Sequence, residues 1–314
     1  MPPKILVISG PTASGKTRLA VELALRHGGE VVSADSMQVY RRMDIGTAKP
    51  TPEEMRGIPH HMLDVADPEE DFSVARYVEL AAPCVDDILA RGKLPIVAGG
   101  TGLYLDSLLS GRTFAPFSPD GGLRARLEAR FDALGGEAML GDLAAADPEA
   151  AARLHPNDRK RIVRALEVFQ QTGKTISQHN RETRALPLRY DALTLSLAFQ
   201  RREDMWARID RRVDEMMAAG LAEEVRALLD SGVPVRCTAM QAIGYKEMAA
   251  ALRGGGDVCA AAEEIKLRSR QYAKRQLTWF RRTEGAKWLF WGPEPDFEAA
   301  CRTSTKYLEE FGLV

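Results

Sequence analysis

The run Lys4-Ile5-Leu6-Val7-Ile8-Ser9-Gly10-Pro11-Thr12-Ala13-Ser14-Gly15-Lys16-Thr17 constrains the fold of this chain more than any other stretch. Its apolar residues predict a short buried strand. Leu19, Leu23 and Leu25, at helical spacing, predict a helix opening at Thr17. The turn between them has the form G-x-x-x-x-G-K-[ST]. Its glycines let successive backbone N–H groups point at one anion, to which the helix N-terminus adds partial positive charge. Lys16 is placed to reach a terminal phosphate, and the Thr17 hydroxyl suits a Mg²⁺ ion bridging phosphate oxygens. Residues Gly10, Pro11, Thr12, Ala13, Ser14, Gly15, Lys16 and Thr17 are therefore candidates for binding a polyphosphate, ATP among them.

Length and composition narrow the field. A chain of 314 residues has a prior of about two domains. Its 45% apolar and 28% charged residues suit a soluble globular protein. A formal net charge of −1 argues against a generic polyanion binder, so a nucleic-acid surface must come from local clustering. Cys84, Cys237, Cys259 and Cys301 are scattered, which suggests neither a zinc site nor a disulfide framework and suits a cytoplasmic protein. No apolar stretch approaches a membrane span, and no signal peptide is expected.

Strand and helix alternate through the first third: strand 4–9, helix 17–26, strand 30–34, helix 73–91 and strand 94–98. That alternation predicts an α/β fold, a P-loop NTPase-like parallel sheet flanked by helices. Ligands of such sheets sit beyond the carboxyl ends of the strands, where the glycine-rich turn, Asp35 and Thr101 all fall. Phe114–Pro119 reads as a linker. The expected organisation is a core, 1–113, a helical insertion domain, 114–188, and a second part of the core, 189–314, mostly helical towards its end. In that second part the pattern predicts a strand at 191–200, helices 203–219, 222–231, 239–252 and 258–282, and a last strand at 287–291.

Several residues carry candidate chemistry, each with a plainer alternative. Asp35 is placed as a metal partner or a general base, or simply as a helix N-cap. Asp44–Pro50 is a loop of small residues suited to close backbone approach. Thr101, between glycines, offers a hydroxyl to substrate or forms a tight turn. Arg208 and Arg212 suit bidentate phosphate contact, or an exposed ion-pair face with Asp204. Two basic clusters stand out. One comprises Arg153, His155, Arg159, Lys160, Arg161 and Arg164. The other comprises Lys266, Arg268, Arg270, Lys274, Arg275, Arg281 and Arg282, interleaved with Tyr272, Trp279 and Phe280. They are either solvated faces and core aromatics or a surface for RNA or DNA.

Taken together, these motifs resemble the bacterial tRNA dimethylallyltransferase (tRNA isopentenylpyrophosphate transferase) family. The resemblance is carried by Gly10–Thr17, Asp35-Ser36-Met37-Gln38-Val39-Tyr40, Asp44-Ile45-Gly46-Thr47-Ala48-Lys49-Pro50 and Gly99-Gly100-Thr101. It continues through His155-Pro156-Asn157-Asp158, Arg164-Ala165-Leu166-Glu167-Val168, Gln241-Ala242-Ile243-Gly244-Tyr245-Lys246 and Ala273-Lys274-Arg275-Gln276-Leu277-Thr278-Trp279, nearly the full length. The C-terminal zinc finger of some eukaryotic members is absent.

The resemblance implies transfer of a dimethylallyl group from its pyrophosphate to the exocyclic amine of the adenosine 3′ of the anticodon (tRNA position 37), in tRNAs reading codons that start with U. It implies Asp35 as the base, Thr101 orienting substrate and Arg212 on the pyrophosphate. It further implies Gly10–Thr17 as the pyrophosphate site, with Mg²⁺ near Thr17. For tRNA it implies contacts from Asp35, Ser36, Met37, Gln38, Arg159, Lys160, Arg161, Ile162, Val163, Gly244, Tyr245, Lys246, Lys274 and Arg275. The expected partners are dimethylallyl pyrophosphate and the anticodon stem-loop of tRNA, with a cytoplasmic monomer as the working unit. The rival readings are a small-molecule kinase using ATP on the same turn and a non-catalytic RNA-binding protein.

Overall fold

A computed structural model describes residues 2–111 and 121–314, the side chains of Gly121 and Arg184 excepted. The chain divides into two compact units, Met1–Leu109 with Arg189–Val314, and Ser110–Leu188. The linker reading at Phe114–Pro119 and the expected boundary at 113/114 lie outside the described residues.

The first unit is built on six parallel strands. Along the chain run β1 (Lys4–Ser9), α1 (Lys16–His27), β2 (Gly29–Ser33), α2 (Pro52–Met55), β3 (His60–His61), α3 (Val74–Ala90), β4 (Leu94–Gly99) and α4 (Gly102–Leu109). In the second unit come α5 (Gly121–Ala146), α6 (Pro148–Ala151), α7 (Arg159–Thr172) and α8 (Ile176–Arg184). The chain then returns with β5 (Asp191–Phe199), α9 (Arg202–Ala218), α10 (Leu221–Asp230), a 3₁₀ turn (Ala239–Gln241), α11 (Tyr245–Gly254), α12 (Val258–Phe280), β6 (Lys287–Trp291) and α13 (Phe297–Phe311).

The strand order is β3-β2-β4-β1-β5-β6, and every pairing is parallel. Strands buried on both faces need apolar residues at every position, which explains their continuous hydrophobic runs. Ile5 and Val7 pack with Val32 and Val97 on one face, while Leu6 and Ile8 pack with Val31, Ile96 and Leu195 on the other. Ser9 pairs with Gly99 of β4 and Ser196 of β5, and the Ser9 and Ser196 hydroxyls hydrogen-bond at 2.8 Å. Because β2, β4 and β1 are neighbours and parallel, the turns after all three emerge side by side.

The second unit is helical with its own core, Leu123, Leu127, Met139, Leu143, Ile162 and Leu166. A break at Gly135 (φ 79°, ψ 168°) divides α5. The buried Asp147 carboxylate accepts from the N–H groups of Ala150 and Ser177, tying α6 to α8.

Three expectations need correcting. Leu25 is exposed, because the buried stripe of α1 runs through Leu19, Ala20, Leu23 and Ala24 and position 25 turns away from it. The single helix expected at 239–252 is a 3₁₀ turn and a separate α11, since Ala242 is extended and Gly244 sits at φ 101°. Short α2 and β3, and the longer α4 and α13, fall outside the elements expected from the sequence.

Candidate active site

The turn after β1 meets α1 without a capping side chain. Gly15, the N-cap residue, adopts φ 83°, makes no side-chain cap and is followed by no acidic residue in the first turn of α1. The first N–H groups of α1 therefore remain available to an anion. A Cβ at Gly15 would also meet Phe297 at 2.7 Å, so only glycine fits there.

Five side chains set the turn in place. Gln276 of α12 accepts from Thr12 N–H at 2.8 Å and donates to the Gly100 carbonyl at 2.9 Å, joining the turns after β1 and β4. Trp291 Nε1 donates to the Ser14 carbonyl at 2.8 Å, and Arg208 Nε to the Ala13 carbonyl at 3.2 Å. Ser14 Oγ donates to the Pro11 carbonyl at 2.8 Å, as does Lys16 Nζ at 2.7 Å. Burial lowers the Lys16 pKa to about 8, with Asp35 opposing the shift and Arg212 adding to it.

Around this cradle lies a cavity of about 600 Å³, lined by Thr12–Arg18, Asp35, the 44–51 loop and Arg208, Arg211 and Arg212 of α9. A second cavity of about 320 Å³ shares Thr12, Ala13, Asp35, Thr47, Ala48, Arg212 and Tyr272 with the first. Its other lining includes Ile209, Val213, Ile243 and Ile265. Basic side chains and N–H groups thus gather on one side, where Asp44, Glu54 and Glu215 also line the wall, the other side is richer in hydrocarbon, and of the carboxylates only Asp35 borders both.

Asp35 follows β2. Its Oδ1 accepts from Met37 N–H at 2.9 Å and more weakly from Gln38 N–H, so it caps a turn and not a helix. Oδ2 makes no hydrogen bond among the described residues. Arg212 reaches the Ala48 carbonyl at 3.5 Å, and burial lowers its pKa, opposed by Glu54 and Asp35. Arg208 serves the Ala13 carbonyl, in place of the alternative pairing with Asp204.

Thr101 lines neither cavity. Its Oγ1 accepts from Ser36 N–H at 3.0 Å and lies 3.3 Å from Ser36 Oγ, and its side chain also hydrogen-bonds Tyr272, so it touches two residues that line the apolar cavity. The Gln38 amide is spent on the carbonyls of Thr47 and Ala48 and on Ser33 Oγ.

The 44–50 loop is held by a residue with no sequence signal. The Glu224 carboxylate accepts from the N–H groups of Asp44, Ile45 and Gly46 at 2.9, 2.8 and 3.1 Å, and from Tyr245 Oη at 2.5 Å. Gly46 is obligatory, since a Cβ there would fall 2.4 Å from the Tyr245 ring. Tyr245 has no exposed surface, which corrects the expectation of a direct RNA contact from its side chain. Ile162 and Val163 are likewise core residues of the helical unit. Gly244 is buried and Lys246 exposed.

The basic clusters are partly neutralised. Arg153 pairs with Glu149, Arg159 with Asp132 and Arg164 with Glu167. Lys266 pairs with Asp214 and Glu263, Arg268 with Glu264 and Arg270 with Asp210. Exposed Lys160, Arg161, Lys274, Arg275, Arg281 and Arg282 have no ion pair among the described residues.

Gln276, Glu224 and Trp291 are the residues that sequence reasoning missed. Gln276 and Glu224 are polar residues on helices whose neighbours look like ordinary amphipathic pattern, and only the tertiary contacts reveal their use.

Comparison with known proteins gives the family of the chain. Residues 38–283 match the family model for IPP transferase, and residues 3–70 match that for isopentenyl transferase. The chain is 46% identical over 309 residues to a tRNA dimethylallyltransferase of Acetivibrio thermocellus, covering 98% of each. It is 50% identical over 289 residues to tRNA dimethylallyltransferase 1 of Trichlorobacter lovleyi, covering 92% of this chain and 94% of the relative. Among solved structures it resembles the full-length tRNA isopentenylpyrophosphate transferase of Bacillus halodurans, with TM-score 0.73 and 42% identity over 98% and 96% of the two chains. A eukaryotic dimethylallyltransferase solved acting on tRNA matches with TM-score 0.81 and 30% identity over 98% of this chain and 78% of the other. The chain belongs to the IPP transferase family, a family of prenyl-transferring enzymes.

Proposed function

We propose that this protein transfers a dimethylallyl group from dimethylallyl pyrophosphate to the exocyclic amine of the adenosine 3′ of the anticodon, position 37, in tRNAs reading codons that start with U. The observation that carries the reading is the position of Asp35, on the wall shared by the cationic cradle and the apolar cavity. A donor with its pyrophosphate in the cradle and its five-carbon chain against Ile209, Val213 and Ile265 places the breaking C–O bond beside that carboxylate.

The exocyclic amine is a weak nucleophile, because its lone pair is drawn into the ring. Positioning and proton removal therefore carry much of the barrier reduction. As the C–N bond forms and the C–O bond breaks, Asp35 takes the amine proton and pyrophosphate departs with the bonding pair. Lys16, Arg212 and the N–H groups of α1 stabilise the charge on the leaving group. Thr101 orients the acceptor by holding Ser36.

Mg²⁺ fits the donor set. Thr17 presents a hard oxygen to the cavity, and no group of three or more His, Cys, Asp or Glu among the described residues forms an all-protein cage. The remaining ligands would be phosphate oxygens and water, the habit of Mg²⁺. When bound it neutralises charge developing on the pyrophosphate.

Lys274, Arg275, Lys160 and Arg161 supply exposed positive charge for phosphates of the anticodon arm, the last two from the helical insertion. We take a monomer as the working unit. A cytoplasmic location accords with four free cysteines and with the absence, among the described residues, of any helix long and apolar enough to cross a membrane.

The test is mass spectrometry of unmodified tRNA incubated with the protein, dimethylallyl pyrophosphate and Mg²⁺, without ATP. The expected result is one dimethylallyl group on the adenosine beside the anticodon. An unmodified tRNA, together with ATP consumed on a small acceptor in a parallel incubation that contains ATP, would replace this reading with that of a kinase.

A further inference from the structure

Trp279 is an exposed aromatic that the fold takes trouble to immobilise. It lies on α12 one turn beyond Arg275 and three residues before Arg282. Its Nε1 donates to Asp106 Oδ2 at 3.1 Å. Its ring is seated on Gly102, where a Cβ would come within 2.3 Å of the indole. One edge and one face are thus occupied, yet 39% of the residue remains open to solvent. Neighbouring Phe280 is 2% exposed and belongs to the core. Burial alone does not account for an indole held this way.

Its surroundings indicate what meets the open face. Tyr272, Arg275 and Trp279 stand at i, i+3 and i+7, one stripe of α12, and Arg282 follows in the turn just past the helix end. Tyr272 and Arg275 line the apolar cavity, and the Arg275 guanidinium lies 5.5 Å from the Tyr272 ring centroid. The stripe therefore runs from the cavity outward, alternating aromatic and cationic residues. Between Tyr272 and Trp279 the helix rises about 10 Å, close to three stacked-nucleotide spacings of about 3.4 Å. Arginines on either side of a fixed aromatic face suit a single strand, its phosphates on the cations and one base on the ring.

We propose that Trp279 is a stacking platform for an unpaired base of the RNA, within three nucleotides of the base that enters the cavity, with Arg275 and Arg282 on the adjoining phosphates. This rests on the RNA-acting reading above. It adds a base-binding site outside the cavity, one that selects an unpaired strand and not a sequence.

The test uses the full-length protein and an unmodified anticodon stem-loop RNA, intact or with one abasic nucleotide at each loop position flanking the target in turn. Trp279→Ala weakens binding of the intact RNA roughly 5- to 150-fold, the range of one base–aromatic stack. KM for the RNA rises in proportion, and kcat at saturating RNA stays within about twofold. Trp279→Phe keeps most of the affinity. One abasic position weakens binding to the wild type by the same factor and adds nothing in Trp279→Ala.

The proposal is overturned if no abasic position matters to the wild type, if the two losses multiply, or if Phe is as weak as Ala. Should Trp279→Ala not fold, the wild-type abasic scan together with Trp279→Phe decides. Stem-loop binding that depends on Trp279 without any prenylation would overturn the reaction and leave the stacking site standing. Prenylation indifferent to every variant would do the reverse.

Discussion

The phosphate cradle and the outer part of α12 both present positive charge, but they build it from different materials. In the cradle the uncapped N–H groups of α1 work together with side-chain charge, Lys16, Arg208, Arg211 and Arg212 lining the same cavity. Such a site is set by residue spacing, because eight residues with two glycines determine where each N–H points. Along α12 the charge is all side chain, and spacing says little about where it goes. Of the basic residues on the helix and just past its end, Lys266, Arg268 and Arg270 are spent on acidic neighbours, whereas Lys274, Arg275, Arg281 and Arg282 have no ion pair among the described residues. Helix α7 repeats the lesson, with Arg159 and Arg164 paired and Lys160 and Arg161 not. A motif reports a geometry; a run of like charges reports only a supply, part of which the fold consumes.

Mutations at the two regions should therefore separate by substrate. The largest effect is expected at the carboxylate. Asp35→Ala should lower kcat by roughly 10²–10⁴, the usual worth of a general base, with RNA affinity little changed. Unaltered turnover would remove Asp35 from that role.

Gln276→Met comes next. It strips the partners from Thr12 N–H and from the Gly100 carbonyl, each about 1–3 kcal/mol when left buried and unpaired. The donor kcat/KM should fall roughly 10- to 100-fold through displacement of the cradle. A loss confined to RNA binding would show that Gln276 serves α12 and not the cradle.

Charge removal on α12 should act on RNA alone. Lys274→Gln with Arg275→Gln should reduce the slope of log affinity against log salt by about 1.4, taking 0.7 per single-strand phosphate contact. Replacing Lys266, Arg268 and Arg270 by Gln should leave the slope as it was. Equal changes from both sets would mean that the ion pairs open when RNA binds.

The smallest effect is a pH dependence. With its pKa lowered to about 8, Lys16 is a cation below that value and neutral above it. The donor kcat/KM of the free enzyme should decline as pH rises past about 8, and Lys16→Arg should flatten that limb. The same lowered pKa makes the buried ammonium unfavourable to folding at neutral pH. This cost fades between about 8 and the unfolded value near 10.5.

The sheet and the convergence of its turns were legible in the sequence, because strands buried on both faces and a P-loop leave little freedom. Asp35 and the 44–50 loop were legible as candidates, and the structure brings both to the cavity walls. The tethers were not. Glu224 lies 178–180 residues along the chain from the loop it holds, and Gln276 lies 264 residues from Thr12. Neither hydrophobic periodicity nor motif spacing carries such a pairing. The resemblance of Gly244-Tyr245-Lys246 to an RNA-contacting motif likewise concealed that the Tyr245 side chain points into the core, where its hydroxyl completes the set of donors to Glu224.

The division of labour between cradle and helix is tested most directly by measuring two constants, donor KM and RNA Kd, in two variants. Lys16→Met should raise the donor KM at least roughly 10-fold and leave the RNA Kd near the wild-type value. Lys274→Gln with Arg275→Gln should weaken RNA binding and leave the donor KM near the wild-type value. If each variant shifted both constants alike, the two regions would form one undivided site, and the division between cradle and helix would be contradicted.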